Sequence, residues 1–282
     1  MENVLEIRNL TKTYKDFVLD NLNLCLPKGH IMGFVGENGA GKSTTIKLIL
    51  NIIHRDQGEI KVFGKDNLEY EQQIKQNIGV VLDESNFPES LNGKNINSIM
   101  KRIYRNWDEK LYLHYFKKFS LPTDKEIKTF SRGMKMKLSI AVALSHNAKL
   151  LILDEPTSGL DPIVRDEILD IFLDFIQNDE NSIFISTHIT SDIEKIADYI
   201  AFIHSGKLIL AEQKDVLQDT YGVIRCKTSE FESLDKTYVK GYRKSNFGVE
   251  ALVKKPNLKT QLPIEPASIE DIMLFTIRGA KQ

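Results

Sequence analysis

One glycine-rich segment of this chain matches the phosphate-binding loop pattern G-x-x-x-x-G-K-[ST] at every fixed position. The residues that we expect to surround phosphate are Gly36, Glu37, Asn38, Gly39, Ala40, Gly41, Lys42, Ser43 and Thr44. Glycines allow consecutive backbone N–H groups to turn inward around an anion. Lys42 would place a positive charge against the β- and γ-phosphates, and the hydroxyl of Ser43 would bind Mg²⁺. The alternative is a glycine-rich turn that binds nothing.

Two acidic residues and a histidine follow strand-like segments later in the chain. Asp154 and Glu155 come directly after the apolar run 150–153, and His188 follows the apolar run 182–186. An aspartate at the end of a buried strand can hold the water shell of Mg²⁺, and the next carboxylate can act as general base for the attacking water. His188 would reach the γ-phosphate from the same sheet edge. The alternatives are a helix cap with a solvated charge, and a structural histidine.

The segments on either side of the glycine-rich loop have the order that phosphate binding requires. Residues Ile31–Val35 form a short apolar run before the loop, and residues 44–53 carry apolar side chains at helical spacing after it. The pattern therefore predicts a strand, the loop and a helix. The positive end of the helix dipole would then face the bound anion.

Strand and helix patterns alternate through much of the chain. Continuous apolar runs of strand length are typical of parallel strands that are buried on both faces, and they occur at 78–82, 149–153 and 182–186. Helical patterns follow at 161–177 and 189–197, and a hairpin is predicted from 199 to 210 around Ser205 and Gly206. We therefore predict an α/β fold with a parallel sheet, namely a P-loop NTPase core.

Three further regions are predicted around this core. Short apolar runs with turn residues between Val4 and Val35 indicate an antiparallel β layer, and residues 88–147 form a helical subdomain insertion. We interpret its aromatic stripe as a core or docking face rather than a ligand site, and it comprises Tyr104, Trp107, Tyr112, Tyr115, Phe116 and Phe119. Residues 1–220 are predicted as the main domain and residues 221–282 as a small α+β appendage.

Composition excludes several classes of protein. The 282 residues include 38 basic and 39 acidic side chains, and this net charge of −1 gives no reason to expect nucleic acid as a partner. Cys25 and Cys226 are far apart and have no metal-ligand spacing, so we expect two buried thiols. No apolar run approaches 18 residues, and the amino terminus lacks a signal pattern. We therefore expect a chain that neither crosses a membrane nor is exported.

The complete set of motifs resembles the nucleotide-binding subunit of an ATP-binding cassette transporter over about the first 220 residues. Phe130–Met134 lies between the glycine-rich loop and Asp154, and it is similar to the family signature Leu-Ser-Gly-Gly-Gln. Ser131 and Gly133 match the positions that offer a hydroxyl and an unobstructed N–H at a helix amino terminus. The resemblance implies that this signature covers the ATP held by a second subunit.

The resemblance also assigns roles to other residues. Tyr14 occupies the position of the aromatic residue that stacks on adenine, Ser158–Asp161 that of the loop crossing the dimer interface, and His188 that of the switch histidine. Asp83 occupies the position of a glutamine that approaches Mg²⁺, with Glu84 after it, so Asp83 joins Ser43 and Asp154 as an expected metal ligand. Arg132 and Met134 replace the glycine and glutamine of the signature, and the arginine could contact phosphate or extend into solvent.

These variants resemble bacterial exporter subunits with a single cassette, including those that expel peptides and antibiotics. The resemblance implies that ATP and Mg²⁺ bind, and that two ATPase subunits close and reopen beside an integral membrane permease on the cytoplasmic face of the membrane. Whether the dimer is homomeric or heteromeric stays open, as does the transported substrate. The alternative is a soluble cassette ATPase that acts on ribosomes or DNA.

Overall fold

The computed structural model describes residues 2–83 and 87–279. Glu84, which follows the expected metal ligand Asp83, lies outside these residues. The strands are β1 (Asn3–Thr13), β2 (Val18–Pro27), β3 (Ile31–Val35), β4 (Gln57–Val62), β5 (Lys65–Asp66), β6 (Ile78–Val81), β7 (Leu150–Asp154), β8 (Ser182–Thr187), β9 (Tyr199–His204), β10 (Lys207–Gln213), β11 (Tyr221–Cys226), β12 (Val239–Ser245), β13 (Gly248–Lys254) and β14 (Glu265–Pro266).

The helices lie between these strands and at the end of the chain. They are α1 (Lys42–Ile49), α2 (Glu71–Lys75), α3 (Gly93–Ile103), α4 (Glu109–Lys118), α5 (Arg132–Leu144), α6 (Pro162–Phe175), α7 (Thr190–Ile196), α8 (Lys214–Thr220), α9 (Thr228–Glu232) and α10 (Ile269–Gly279). Short 3₁₀ helices span Ile127–Thr129 and Lys236–Tyr238. Within residues 2–83 and 87–279, no helix combines the length and apolar composition needed to span a bilayer.

The central sheet has the strand order β10-β9-β3-β8-β7-β6. All neighbouring pairs are parallel except β9 and β10, which form the predicted hairpin. Every residue of β3, β7 and β8 is buried, which explains why these strands are almost uniformly apolar. Because the strands are parallel, the loops after β3, β7 and β8 emerge at one edge of the sheet. The predicted α/β fold is confirmed.

A second sheet packs beside the core and has the order β2-β1-β4-β5 with antiparallel neighbours. Its inward side chains pack with α1 and with Phe34 and Phe184 of the central sheet. The prediction of a buried thiol at Cys25 is wrong: alternate residues of β2 face solvent, and Cys25 is one of the exposed residues. Cys226 is half-buried.

The helical segment has an aromatic core. Tyr112 and Phe116 of α4 are fully buried, and the hydroxyl of Tyr112 donates to the carbonyl of Gly93 at 3.0 Å. Phe119 is buried in the same cluster, which continues onto α5 and the central sheet. The structure thus confirms the interpretation of the stripe as a packing face. Helix α5 leads from this segment onto β6.

The carboxyl-terminal residues form a third sheet, of order β12-β13-β11-β14, with a small apolar core of its own. Helix α10 packs against β12 and α7, and the N–H of Ile269 donates to Glu194 of α7 at 2.5 Å. The α+β character of this segment matches the prediction. Helix α8, which precedes it, was absent from the predicted elements.

Candidate functional site

The glycine-rich loop follows β3 and ends where α1 begins at Lys42. Gly41 has a φ of 114°, which only glycine adopts without strain. A Cβ atom on Gly36 would lie 2.4 Å from the carbonyl oxygen of Ile203, so no larger residue fits there. Between them Glu37, Asn38 and Gly39 are exposed to solvent. The loop therefore presents its backbone at the carboxyl edge of the sheet, directly before a helix amino terminus.

The turn between β9 and β10 supports this loop from behind. The N–H of Gly206 donates to the carbonyl of Ala40 at 3.0 Å, and the carbonyl of Gly206 accepts from the N–H of Asp20 at 2.9 Å. The loop is therefore bonded through Gly206 to strand β2 of the antiparallel sheet. On the helix side, the hydroxyl of Thr45 donates to the carbonyl of Gly41 at 2.9 Å.

Lys42 is almost completely buried and lies under the loop. Its Nζ donates to the carbonyl of Gly36 at 2.7 Å and to that of Glu37 at 3.2 Å, and it lies 3.2 Å from Oε1 of Glu155. Only 6% of the lysine side chain and 11% of the glutamate side chain are exposed. A buried ammonium group needs such a partner, because removing an unpaired charge from water is costly. The structure thus brings together the predicted phosphate-binding lysine and the predicted base.

The backbone at Glu155 is unusual. Its φ is 50°, in the left-handed region that a glutamate rarely adopts, and its N–H donates to the carbonyl of Ser186 at 3.0 Å. Such strained residues cluster at functional sites. Oε2 of Glu155 lies 2.8 Å from Nδ1 of His188 and accepts from the backbone N–H of His188 at 3.3 Å. The carboxylate is therefore fixed between Lys42 and His188.

His188 faces outward from this cluster, with 45% of its side chain exposed. It follows β8, so the segments that come after strands β3, β7 and β8 each contribute one member of the group Lys42, Glu155 and His188. The sequence-based placement of His188 at the ligand-facing edge agrees with this position.

Asp154 and Ser43 offer oxygen atoms near the same sheet edge. Asp154 is buried and accepts a hydrogen bond from the hydroxyl of Ser186, whereas Ser43 lies exposed in the first turn of α1. Among the described residues, no group of three or more His, Cys, Asp or Glu side chains is arranged to hold a metal. A single carboxylate and a hydroxyl fit Mg²⁺, which keeps several waters and binds phosphate oxygens as well.

The signature segment forms the amino terminus of α5. The Oγ of Ser131 accepts from the N–H of Met134 at 3.2 Å and so caps the helix. A Cβ atom on Gly133 would meet nothing closer than 3.9 Å, and its three nearest neighbours belong to Ser131, Leu160 and Val164. None of these neighbours belongs to the glycine-rich loop. Gly133 therefore has open space around it within its own chain.

Tyr14 lies in the tight turn between β1 and β2. Its N–H donates to the carbonyl of Phe17 at 2.8 Å, and Lys12 lies over its ring at 5.7 Å. The Phe17 ring in turn lies beside Gly41, because a Cβ atom there would be 3.0 Å from its tip. The half-exposed ring of Tyr14 is thus carried by a turn that borders the glycine-rich loop.

Asp83 and Arg132 form an ion pair. Nη2 of Arg132 donates to Oδ1 of Asp83 at 2.9 Å, although the two residues are 49 positions apart in the sequence. Arg132 therefore does not simply extend into solvent, and one carboxylate oxygen of the expected metal ligand Asp83 is already occupied.

Sequence reasoning missed two polar residues that support the site. Ser186 contacts both Asp154 and Glu155, and the buried hydroxyl of Thr157 donates to Asp192 of α7 at 2.6 Å. A hydroxyl residue within an otherwise apolar buried strand is the signal that could have identified Ser186.

Comparisons with known proteins agree with this geometry. Residues 19–158 match the family described as ABC transporter. The chain is 37% identical over 215 residues to the lantibiotic transport ATP-binding protein SrtF of Streptococcus pyogenes, with 75% of this chain and 92% of the relative covered. It is also 37% identical over 215 residues to the bacitracin transport ATP-binding protein BcrA of Bacillus licheniformis, covering 74% of this chain and 69% of the relative.

A solved ATP-binding cassette dimer in a post-hydrolysis state with ADP and Pi has the same fold. The superposition of this chain on that structure has a TM-score of 0.67 and a sequence identity of 23%, and it covers 74% of this chain and 98% of the solved one. The relatives are transport proteins, and they give no support to the alternative of a cassette that acts on ribosomes or DNA.

Proposed function

This chain belongs to the ATP-binding cassette transporter family and is an ATPase of that family, and we propose that it drives the export of an antibiotic or peptide through a separate membrane subunit. The single observation that supports this assignment best is the buried contact between Lys42 and Glu155, since it joins the phosphate-binding loop to a carboxylate at a neighbouring strand end. The relatives' names supply the transported class.

In this proposal residues Gly36–Thr44 bind the phosphates of ATP, and Lys42 contacts the β- and γ-phosphates. A phosphate oxygen would compete with the carboxylate of Glu155 for Lys42, because both are anions and lie at the same ammonium group. Loss of that ion pair would leave Glu155 bonded to His188 and available to accept a proton from water. Binding of ATP would thus free Glu155 to act as the general base.

Glu155 accepts the proton as water attacks the γ-phosphate in line, and the bond to the leaving phosphate oxygen breaks. Lys42 and His188 stabilise the negative charge that develops on the phosphate oxygens. The bond between His188 and Oε2 of Glu155 also holds the carboxylate in place during this step. Positioning and charge stabilisation therefore account for the chemistry that these side chains supply.

We propose Ser43 and Asp154 as the residues that hold Mg²⁺, which supplies charge neutralisation to the phosphates when bound. The hydrogen bond from Ser186 orients the carboxylate of Asp154. Asp83 stays a prediction as a metal ligand: Oδ1 is paired with Arg132, which leaves Oδ2 for a metal-bound water.

We further propose that two subunits close around ATP. The open space at Gly133 and the exposed Ser131 suit the approach of a phosphate from another subunit, and the dimeric cassette of the same fold supports this arrangement. Tyr14 would stack on adenine beside the loop. Ser158–Asp161 would cross the interface, where Asp161 also caps α6 through the N–H groups of Ile163 and Val164, each at 3.1 Å.

The proposal places the chain at the cytoplasmic face of the cell membrane, held there by its permease. Residues 1–220 would form the ATPase domain, with the helical segment 88–147 as the docking region for the membrane subunit, and residues 221–282 an accessory domain. We do not expect nucleic acid to be a partner of this chain. Copurification of an integral membrane protein with this chain, and accumulation of a peptide antibiotic in cells that lack it, would support the transport role.

Dimer closure is tested by measuring molecular mass with light scattering. Glu155→Gln should form a dimer with ATP and return to monomers without it, because the glutamine slows hydrolysis. In the Glu155→Gln background, Gly133→Asp should stay monomeric: an acidic residue is favourable at a helix amino terminus, yet it repels an incoming phosphate. A dimer of equal stability in both variants would contradict the role of the signature, and monomers in both would contradict the ATP-driven dimer.

A further inference from the structure

Two positions at which this chain departs from the family pattern contact each other. Asp83 stands in place of a glutamine and Arg132 in place of a glycine, and their side chains form the 2.9 Å ion pair. Each departure alone leaves a charge at a place where the family pattern has none. Together they bring opposite charges into contact, so the pair is best understood as one feature.

Arg132 also contacts a third segment. A Cβ atom placed on Gly159 would lie 2.6 Å from Nη1 and 3.0 Å from Cζ of Arg132, so the guanidinium group covers the α-carbon of Gly159. Asp83 follows β6, and Gly159 lies between β7 and α6. Because β6 and β7 are neighbouring parallel strands, Arg132 joins two loops of one sheet edge to the amino terminus of α5.

We propose that Arg132 is a positioning residue, which through Asp83 and Gly159 holds the signature segment in the orientation that meets the ATP of a second subunit. This inference rests on the proposed ATP-driven dimer. Both side chains are about half exposed, at 54% and 49%, so solvent and salt screen the interaction and its effect is modest. The alternative is a direct contact between Arg132 and phosphate, and it makes a different prediction for the variant in which the two charges are exchanged.

The test measures the ATPase activity of the full chain as a function of ATP concentration. Arg132→Ala and Asp83→Ala should each raise KM about threefold, the size expected for losing a half-exposed ion pair, and change kcat by less than about twofold. The exchanged variant Asp83→Arg with Arg132→Asp should return KM to within about twofold of the original, since the pair is restored with reversed polarity. Raising salt to about 0.5 M should remove the difference between Arg132→Ala and the original chain.

A matched control lies one turn further along α5. Lys135 pairs with Glu89 at 3.0 Å, and Glu89→Gln breaks that ion pair without touching the Asp83–Arg132 pair. Its KM should equal that of the original chain. The affinity of each variant for ADP, measured by calorimetry without turnover, should also be unchanged, because the glycine-rich loop is intact.

Several results would overturn the inference. A KM for the exchanged variant as high as that of the single variants would indicate that Arg132 acts on phosphate itself. A fall in kcat for Asp83→Ala alone, without an effect of Arg132→Ala, would assign Asp83 to the metal rather than to positioning. Absence of ATPase activity in the original chain, or of an ATP-dependent dimer in Glu155→Gln, would instead refute the proposed function, so the two failures can be told apart.

Discussion

Two glutamates of this molecule each lie between two basic side chains, one directly after a strand of the central sheet and one within the carboxyl-terminal sheet. Glu155 contacts Lys42 and His188, whereas Glu250 accepts from Nε of Arg225 at 2.9 Å and from Nε of Arg243 at 3.1 Å. The side chain of Glu155 is 11% exposed and that of Glu250 is 29% exposed. A glutamate between two basic residues therefore occurs in two different environments.

The backbone conformation differs between these two carboxylates. Glu250 is a regular residue of β13, and Arg225 and Arg243 are its direct partners on the neighbouring strands. Such cross-strand pairs stabilise a sheet. Glu155 follows the end of its strand in a left-handed conformation beside the glycine-rich loop. Strain, burial and a position at the strand end therefore distinguish Glu155, which we propose as the general base, from Glu250, whereas two basic neighbours alone do not.

The largest effect that separates the two glutamates is expected in turnover. Glu155→Gln should lower kcat by about a hundredfold or more, within the range for losing general-base help, while nucleotide binding persists. Glu250→Gln is the matched control and should keep the kcat of the original chain. Steady-state phosphate release measures both. An unimpaired Glu155→Gln variant would place the base elsewhere.

The next effect concerns the cations. Lys42→Ala should weaken ATP binding by about thirtyfold or more, because it removes a buried charge-assisted partner of the phosphates and leaves Glu155 without its cation. Arg243→Ala should leave the ATP affinity unchanged. Calorimetric titration with ATP gives the two affinities. Equal binding by Lys42→Ala and the original chain would contradict the role given to this lysine.

The smallest effect is on stability and depends on pH. The hydrogen bond from Arg225 has the larger effect and that from Arg243 the smaller, and together they hold the pKa of Glu250 below its ordinary value. Folding therefore stabilises the ionised form of Glu250, and the ionised form contributes to the stability of the folded chain at neutral pH. This contribution is lost as the pH falls below 4.5, the ordinary pKa of a glutamate, and then through the lower pKa of Glu250 in the folded chain. Glu250→Gln should lower Tm by about 3 °C or less at pH 7, and the difference should shrink by pH 3.5. A constant difference at both pH values would exclude this ionic contribution.

The sequence allowed prediction of the parts that depend on local pattern. The loop 36–43, the strands before it and before Asp154, and the helix after it each carry their signal within a few residues. The structure contains all of them, although the helix predicted over 44–53 spans Lys42–Ile49. The relative position of Lys42 and Glu155 also followed, because parallel strands bring their carboxyl ends to one edge.

Other features depend on contacts between distant segments and could not be predicted. The pairing of Asp83 with Arg132 joins residues separated by the helical segment, and periodicity carries no information about it. The left-handed conformation of Glu155 could not be predicted either, because glutamate is not a residue type that favours this conformation. Cys25 shows a different limit: the residue type favours burial, but the alternation of β2 turns it outward.

The bond from Gly206 to the glycine-rich loop has a consequence for synthesis of the chain on a ribosome. Strand β3 lies between β8 and β9, and the carbonyl of Ala40 is bonded to a residue 166 positions later. A nascent chain that ends before residue 199 contains the whole phosphate-binding sequence, but it has neither β9, one of the two strand neighbours of β3, nor this hydrogen bond. We therefore expect the ability to bind nucleotide to emerge late in translation, so that a partly made subunit does not engage ATP.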